Sequence, residues 1–339
     1  MRNLWSLAIA IWMGTQVKAA QQAPLPPLPP EPVIQPSAPP PPREGDAFTA
    51  RPSADVEILQ IMPGYRTWFS FGQSTISMAG SGGYPNIISE LKWRNLVNPI
   101  QEINVDTLWG SRFIARMDFG FGIAGTGHLS DQDFNDDNRT NLAGYTSHPA
   151  NDNNVFYFNL DLGYRIWDVK SPTIKFTGDI LVGYQFWQEK YIASDGVELF
   201  PDPGPFPAGR VVANTFRWNS FRIGARSEME ISRWSFGTKV MFVPVNNFRD
   251  DDIHYLRTDL LQDPSFIDQA TGGFGVMVDA TATWRVWKGL SLEAGYRLWY
   301  NQAGMGLDIA RTTQGDVVSP LHQVQTLRQG ILLGLQYRF

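Results

Sequence analysis

Two short acidic stretches carry the residue types that could do chemistry: Ser130-Asp131-Gln132-Asp133-Phe134-Asn135-Asp136 and Arg249-Asp250-Asp251-Asp252-Ile253-His254. Each places ionisable side chains at i and i+2. In an extended chain successive side chains point to opposite faces, so i and i+2 share one. Asp131 and Asp133 then project together, as do Asp252 and His254. If the fold sets the two pairs face to face, three carboxylates and one imidazole converge. That set can hold a water molecule and take its proton. Acidic clusters are also commonly plain solvated charge. Asp131-x-Asp133-x-Asn135 resembles the start of a calcium loop, but the sixth position is Asp136 rather than Gly and the twelfth is Leu142 rather than Glu. A metal site of Asp131, Asp133, Asp252 and His254 is conceivable; one imidazole among hard oxygens is a poor site for zinc.

The scaffold has to bring these stretches together. The chain has 339 residues, 43% hydrophobic and 13% aromatic, with 31 Gly and no Cys, so no disulfide or Cys-based metal site exists. The net charge of −5 argues against nucleic acid as a partner. A mean hydropathy of −0.23 excludes a helical membrane protein. A β-barrel escapes that test, because only alternate residues meet lipid.

Residues 1–19 read as a secretory signal peptide: Arg2 supplies the positive start, 4–14 are apolar, and Val17 and Ala19 are small residues before the cut. Residues 20–64 read as a Pro-rich periplasmic linker, with eleven of the 24 prolines between Pro24 and Pro42. Proline's fixed φ and missing N–H make this stretch an extended spacer.

From Tyr65 to Phe339 the texture is alternating polarity. Ten runs (65–76, 88–109, 113–127, 155–167, 174–192, 211–231, 234–247, 274–287, 290–302 and 324–339) read as strands. Tight turns at 109–112, 231–234 and 287–289 alternate with polar loops expected at 128–154, 199–210, 249–273 and 303–322. Short turns at one end and long extracellular loops at the other predict an all-β, antiparallel transmembrane barrel of ten strands. Trp109, Trp167, Trp234, Trp284 and Trp287 fall at the short-turn end, where an amphipathic ring suits the membrane interface. The final strand puts Ile331, Leu333, Leu335, Tyr337 and Phe339 on one face.

With these motifs in place, residues 68–339 resemble the omptins, ten-stranded outer-membrane proteases of Gram-negative bacteria. The resemblance rests on Asp131-Gln132-Asp133-Phe134-x-Asp136 and on the Asp250-x-Asp252-x-His254 spacing. Leu91-Lys92-Trp93-Arg94, His148-Pro149, Gly183-Tyr184-Gln185 and Gln336-Tyr337-Arg338-Phe339 support it. It implies an endopeptidase in the bacterial outer membrane that acts on peptides or proteins without a cofactor. Asp252 and His254 would be a water-activating dyad, facing a carboxylate pair of Asp131 and Asp133. It implies that Asp250 binds a basic substrate side chain, and that Tyr184 and Arg217 contact lipopolysaccharide, which the activity can require. The acidic residue that omptins carry near the end of the first strand is missing, because residues 72–83 contain no Asp or Glu. A second reading, from a different class, is a non-catalytic barrel, a porin or adhesin with acidic loops.

Overall fold

Alternation of apolar and polar side chains gives strands whose two faces need different solvents, and closing the sheet on itself supplies both. In a computed structural model, which describes residues 58–304 and 306–339, the chain does this. The signal-peptide reading and nearly all of the linker reading lie outside the described residues. The strands are β1 (Ile58–Met78), β2 (Ser89–Trp109), β3 (Phe113–Asp136), β4 (Thr140–Lys170), β5 (Ile174–Ser194), β6 (Val197–Phe200), β7 (Gly204–Pro205), β8 (Arg210–Ile231), β9 (Trp234–His254), β10 (Phe266–Thr271), β11 (Phe274–Trp287), β12 (Leu290–Ala303), β13 (Gly306–Thr312) and β14 (Gly315–Tyr337). All pairings are antiparallel, and β1 closes on β14. The ring at the short-turn end is β1-β2-β3-β4-β5-β8-β9-β11-β12-β14, ten strands. Further up, β10 and β13 continue the lines of β11 and β12 between β9 and β14.

The barrel begins earlier than Tyr65. Ile58 pairs with Trp109, so the first strand runs seven residues into the stretch expected as linker. The loops expected at 128–154 and 303–322 are also largely sheet, and about half of the one expected at 249–273 is. β3 and β4 are joined only through 137–139, and β9 runs on to His254. Above the bilayer both faces of a strand meet polar surroundings, so the alternation that marks a strand in sequence disappears while the backbone ladder continues.

Phe69, Phe119, Leu162, Val182, Phe242, Leu333 and Leu335 project outward from the wall as an apolar band. The interior is filled. Arg66 pairs with Glu102 (3.1 Å) and Glu293 (2.7 Å), and Arg297 with Asp279 (3.0 Å) and Glu102. Arg222 pairs with Asp161 at 2.7 Å, and Arg328 with Glu189 at 2.9 Å. Arg116 and Arg165 also face inward and are paired, but Arg94 is exposed, because Trp93 takes the inward position beside a bulge at 94–97. Trp68, Tyr157, Trp187 and Trp299 stack edge to face over the network. A cavity lined by Arg66, Asp106 and Arg116 holds only about 40 Å³, room for a water or two. This plugged interior is unlike an open pore.

Candidate active site

Asp131 lies 18 residues beyond the start of β3 at Phe113. At about 3.3 Å per residue and a tilt near 40°, that places it roughly 45 Å along the barrel axis, well past an apolar band about 25 Å tall. The acidic stretches are therefore strand, held in water above the membrane. Asp131 and Asp133 sit on β3, and Asp252 and His254 on β9, each pair on one face as i, i+2 spacing demands.

The tertiary fold brings them to one cavity of about 670 Å³, lined by Asp131, Asp133 and His254 together with Asp308 and Arg257. His254 Nε2 lies 3.0 Å from Asp252 Oδ2. The His254 backbone N–H donates to Ser265 Oγ at 3.1 Å, and its ring packs edge-on against Phe266 at 5.0 Å. Asp252 is almost completely buried, and its Oδ1 has no hydrogen-bond partner among the described residues; the same holds for Asp131 Oδ1.

The electrostatics follow from burial and proximity. Burial pushes the Asp131 carboxyl up, the neighbouring Asp133 and Asp252 charges push it further, and His254 and the Ser89 hydroxyl pull it back, to about 7. Asp133 is raised as well, by burial first. Burial lowers His254, but the charge and hydrogen bond of Asp252 and the charge of Asp131 outweigh it, and the imidazole ends above its ordinary value. With Asp131 raised to about 7, the pair on β3 retains a proton to higher pH than ordinary carboxyls, and His254 stays protonated to higher pH than an ordinary imidazole.

Asp250 is fully buried. Its carboxylate accepts from Asn214 Nδ2 and from the Thr215 N–H at 2.7 Å, and it does not line the cavity. Two carboxyls that sequence reasoning missed sit beside it. Asp268 on β10 pairs in register with Asp250 on β9, and also with Asp308 on β13. Three carboxyls thus form one row across three strands. Asp268 and Asp308 each keep an unpartnered Oδ1, and only Asp308 reaches the cavity. Burial, then the Asp252 charge, raise Asp308, while Asp268 and His254 lower it, to about 6. Neither residue stands in a local motif; only strand pairing puts them there.

Tyr184 and Arg217 lie on the outer wall on neighbouring strands. The Tyr184 hydroxyl donates to Asn219 Oδ1, and Arg217 donates to Gln188 Oε1 at 3.2 Å and to Asp251. Asp251 also pairs with Arg249 at 2.8 Å, so two guanidiniums share one carboxylate and the patch keeps net positive charge.

A closed antiparallel barrel with an apolar belt, a plugged interior and a polar cleft above the membrane defines an outer-membrane β-barrel with its working surface outside. The Omptin family model matches residues 83–339, more than half of the chain, and the protein belongs to that family of outer-membrane proteases. It is similar to the plasminogen activator of Yersinia pestis, 25% identical over 230 residues that cover 64% of this chain and 69% of the relative. Its fold is similar to the crystal structure of the outer membrane protease OmpT from Escherichia coli. There the TM-score is 0.71 at 15% identity, over 83% of this chain and 97% of that one.

Proposed function

We propose that this outer-membrane protease is an endopeptidase that attacks the peptide carbonyl with a water activated by Asp252 and His254, opposite Asp131 and Asp133. The observation that carries this reading is the single cleft reached by Asp131, Asp133 and His254, with Asp252 bonded to the imidazole at 3.0 Å. An Nε2–H bonded to Asp252 leaves the lone pair on Nδ1. Nδ1 takes a proton from water, and the hydroxide oxygen bonds to the scissile carbonyl carbon. The imidazolium is held by Asp252 and later returns the proton to the leaving amine nitrogen as the C–N bond breaks. The proton shared by Asp131 and Asp133 hydrogen-bonds the developing oxyanion, whose charge would otherwise face two carboxylates. No covalent intermediate is formed.

The carboxyl row gives the cleft a place for a basic side chain. An Arg or Lys stem lies along apolar wall residues such as Met78 and Leu91 while its cationic head meets Asp308. Asp250 supports that site from behind, through Asp268. On the outer wall, Tyr184 and Arg217 contact lipopolysaccharide, whose phosphates compete with Asp251 for Arg217.

The test is cleavage of a peptide library by the refolded barrel, read by mass spectrometry, with and without EDTA and with and without lipopolysaccharide, beside His254→Ala. Loss of cutting in His254→Ala with no effect of EDTA is expected. Activity abolished by EDTA and restored by added cation would establish the metal reading of the same residues instead.

A further inference from the structure

The cleft has two sides, and they differ in chemistry. In the sheet, Asp131 on β3 stands between Leu91 on β2 and Thr146 on β4. His254 on β9 stands beside Val212 on β8, and Asp252 beside Phe266 on β10. A line across the barrel from Asp131 to His254 therefore leaves two arcs of wall. One runs through β10, β13, β14, β1 and β2 and contains Asp308. The other runs through β4, β5 and β8. Its cavity-lining residues on these strands and on the β5–β8 connection are Ala143, Thr146, Phe206, Val211 and Val212, none of them ionisable; Arg257, which also lines the cavity, comes from the segment after β9.

Phe206 is brought to this wall by a dedicated piece of chain. The connection between β5 and β8 is largely exposed, but part of it returns to the sheet. β6 folds back and pairs with β4, Thr146 opposite Glu198 and Ser147 opposite Val197, and β7 pairs with β6. The Phe206 N–H then donates to the Gly196 carbonyl at 3.0 Å. Its ring meets His148 edge-on, with centroids 4.9 Å apart and an interplanar angle of 87°. The ring packs against the top of the core yet stays only half-buried, facing the cleft.

We propose that Phe206, with Val211, Val212 and Ala143, forms a subsite for a bulky apolar side chain on one side of the scissile bond. This rests on the catalytic reading, because it takes the cut to lie between Asp131 and His254. Its occupant is a substrate side chain, since the wall is continuous with the cleft that holds those residues. The physical warrant is that a half-buried aromatic wall without a charge gains by losing water, whereas a charged side chain there would be desolvated without a partner. Phe206 is a specificity-determining residue under this proposal, and it takes no part in the proton transfers.

The experiment uses the full-length refolded chain and the same peptide library, varied at both positions flanking the cut. Leu, Met or Phe is expected to be enriched on one side only. For a matched peptide pair with Leu or Ala at that position, Phe206→Ala is expected to shrink the ratio of kcat/KM values about tenfold. Phe206→Leu is expected to keep most of the ratio, and Phe206→Asp to remove it. Preference on the other side of the cut, and heat-modifiable migration on a gel, are expected to be unchanged in all three. The proposal is overturned by cutting that requires His254 but shows no apolar enrichment on either side. It is equally overturned if Phe206→Ala slows both peptides of the pair alike, which is the mark of a merely structural role. Cutting that persists in His254→Ala sinks the catalytic reading instead, and the same cut sites still report whether the apolar preference exists.

Discussion

Asp252 sits behind the cleft, bonded to the imidazole that lines it. It is buried, one oxygen is bonded to His254, and the other has no partner among the described residues. A carboxylate in that state favours an adjacent positive charge, and so it holds His254 above the ordinary imidazole value. The neutral base is the active form, so kcat/KM is expected to fall as pH drops through the His254 pKa. Asp252→Asn removes the main group that raises this pKa, and the acid limb of the profile should move to lower pH. Its rate should be below wild type but well above that of His254→Ala, which loses the base outright and should fall by several orders of magnitude. Asp131→Ala and Asp133→Ala should each lose roughly 10²–10³-fold, by analogy with a removed oxyanion donor. An acid limb that stays in place in Asp252→Asn counts against the dyad. Asp308 makes a separate prediction. Its pKa of about 6 leaves it charged at pH 7.5 and neutral at pH 5. The kcat/KM ratio of a Lys peptide to its norleucine counterpart should therefore fall with pH through about 6, while the His254 dependence cancels in the ratio. Asp308→Asn should flatten that ratio by about tenfold, worth roughly 1–3 kcal/mol. Asp250→Asn should flatten it less, because Asp250 is bonded to Asn214 and Thr215 and does not line the cleft. A pH-independent ratio in wild type would sink the role of Asp308.

At the scale of elements, the site depends on strands that continue beyond the membrane. β11 follows β10 across Gly272 and Gly273, both with positive φ, near 96° and 86°. This break lets one line of sheet bend and still keep its register on β9, with Thr271 opposite Asn247 below the acidic rows and Gly275 opposite Val243. A Cβ on Gly273 would lie 2.1 Å from the Gln302 carbonyl oxygen, which is backbone and cannot rotate aside. Gly273→Ala should therefore displace β10, and with it Phe266 and Asp268, at a cost on the order of 1–3 kcal/mol. The expected outcome is a barrel that still folds, judged by heat-modifiable migration, with a marked loss of peptide cleavage. Wild-type cleavage in Gly273→Ala would show that the row on β10 is not needed.

For the molecule as a whole, closure removes every free sheet edge in the membrane, and the paired charges inside remove the channel. Circular dichroism of the refolded protein in detergent should show mainly strand, and the folded form should migrate differently before and after boiling. In a planar bilayer it should give no steady conductance, because the described interior cavities near Arg66 and Asp106 hold only about 40 Å³. A stable open channel would favour the porin reading. Arg297 lies at the centre of the plug, bonded to Asp279, Glu102 and Tyr157. Arg297→Ala leaves buried carboxylates without their cation and should lower thermal stability by about 3–5 kcal/mol, read as a drop in the temperature at which heat modification occurs.

The sequence by itself determined the barrel and its chemistry-bearing pairs. Period-two alternation is a local property, and i, i+2 spacing places Asp131 with Asp133 and Asp252 with His254 whatever the rest of the chain does. The strands of the membrane band were legible because lipid on one side and a packed polar interior on the other force contrast between neighbours. The contrast fades above the band, so 128–154 reads as loop although it is sheet except for the short connection at 137–139. Only the tertiary structure decided which residues meet across the barrel. It set β3 opposite β9, buried Asp250, put Asp268 and Asp308 in its row, and folded 197–205 back to bring Phe206 to the cleft. These depend on strand register, which is set by ladders between segments far apart in the chain. No spacing within a single stretch encodes that pairing.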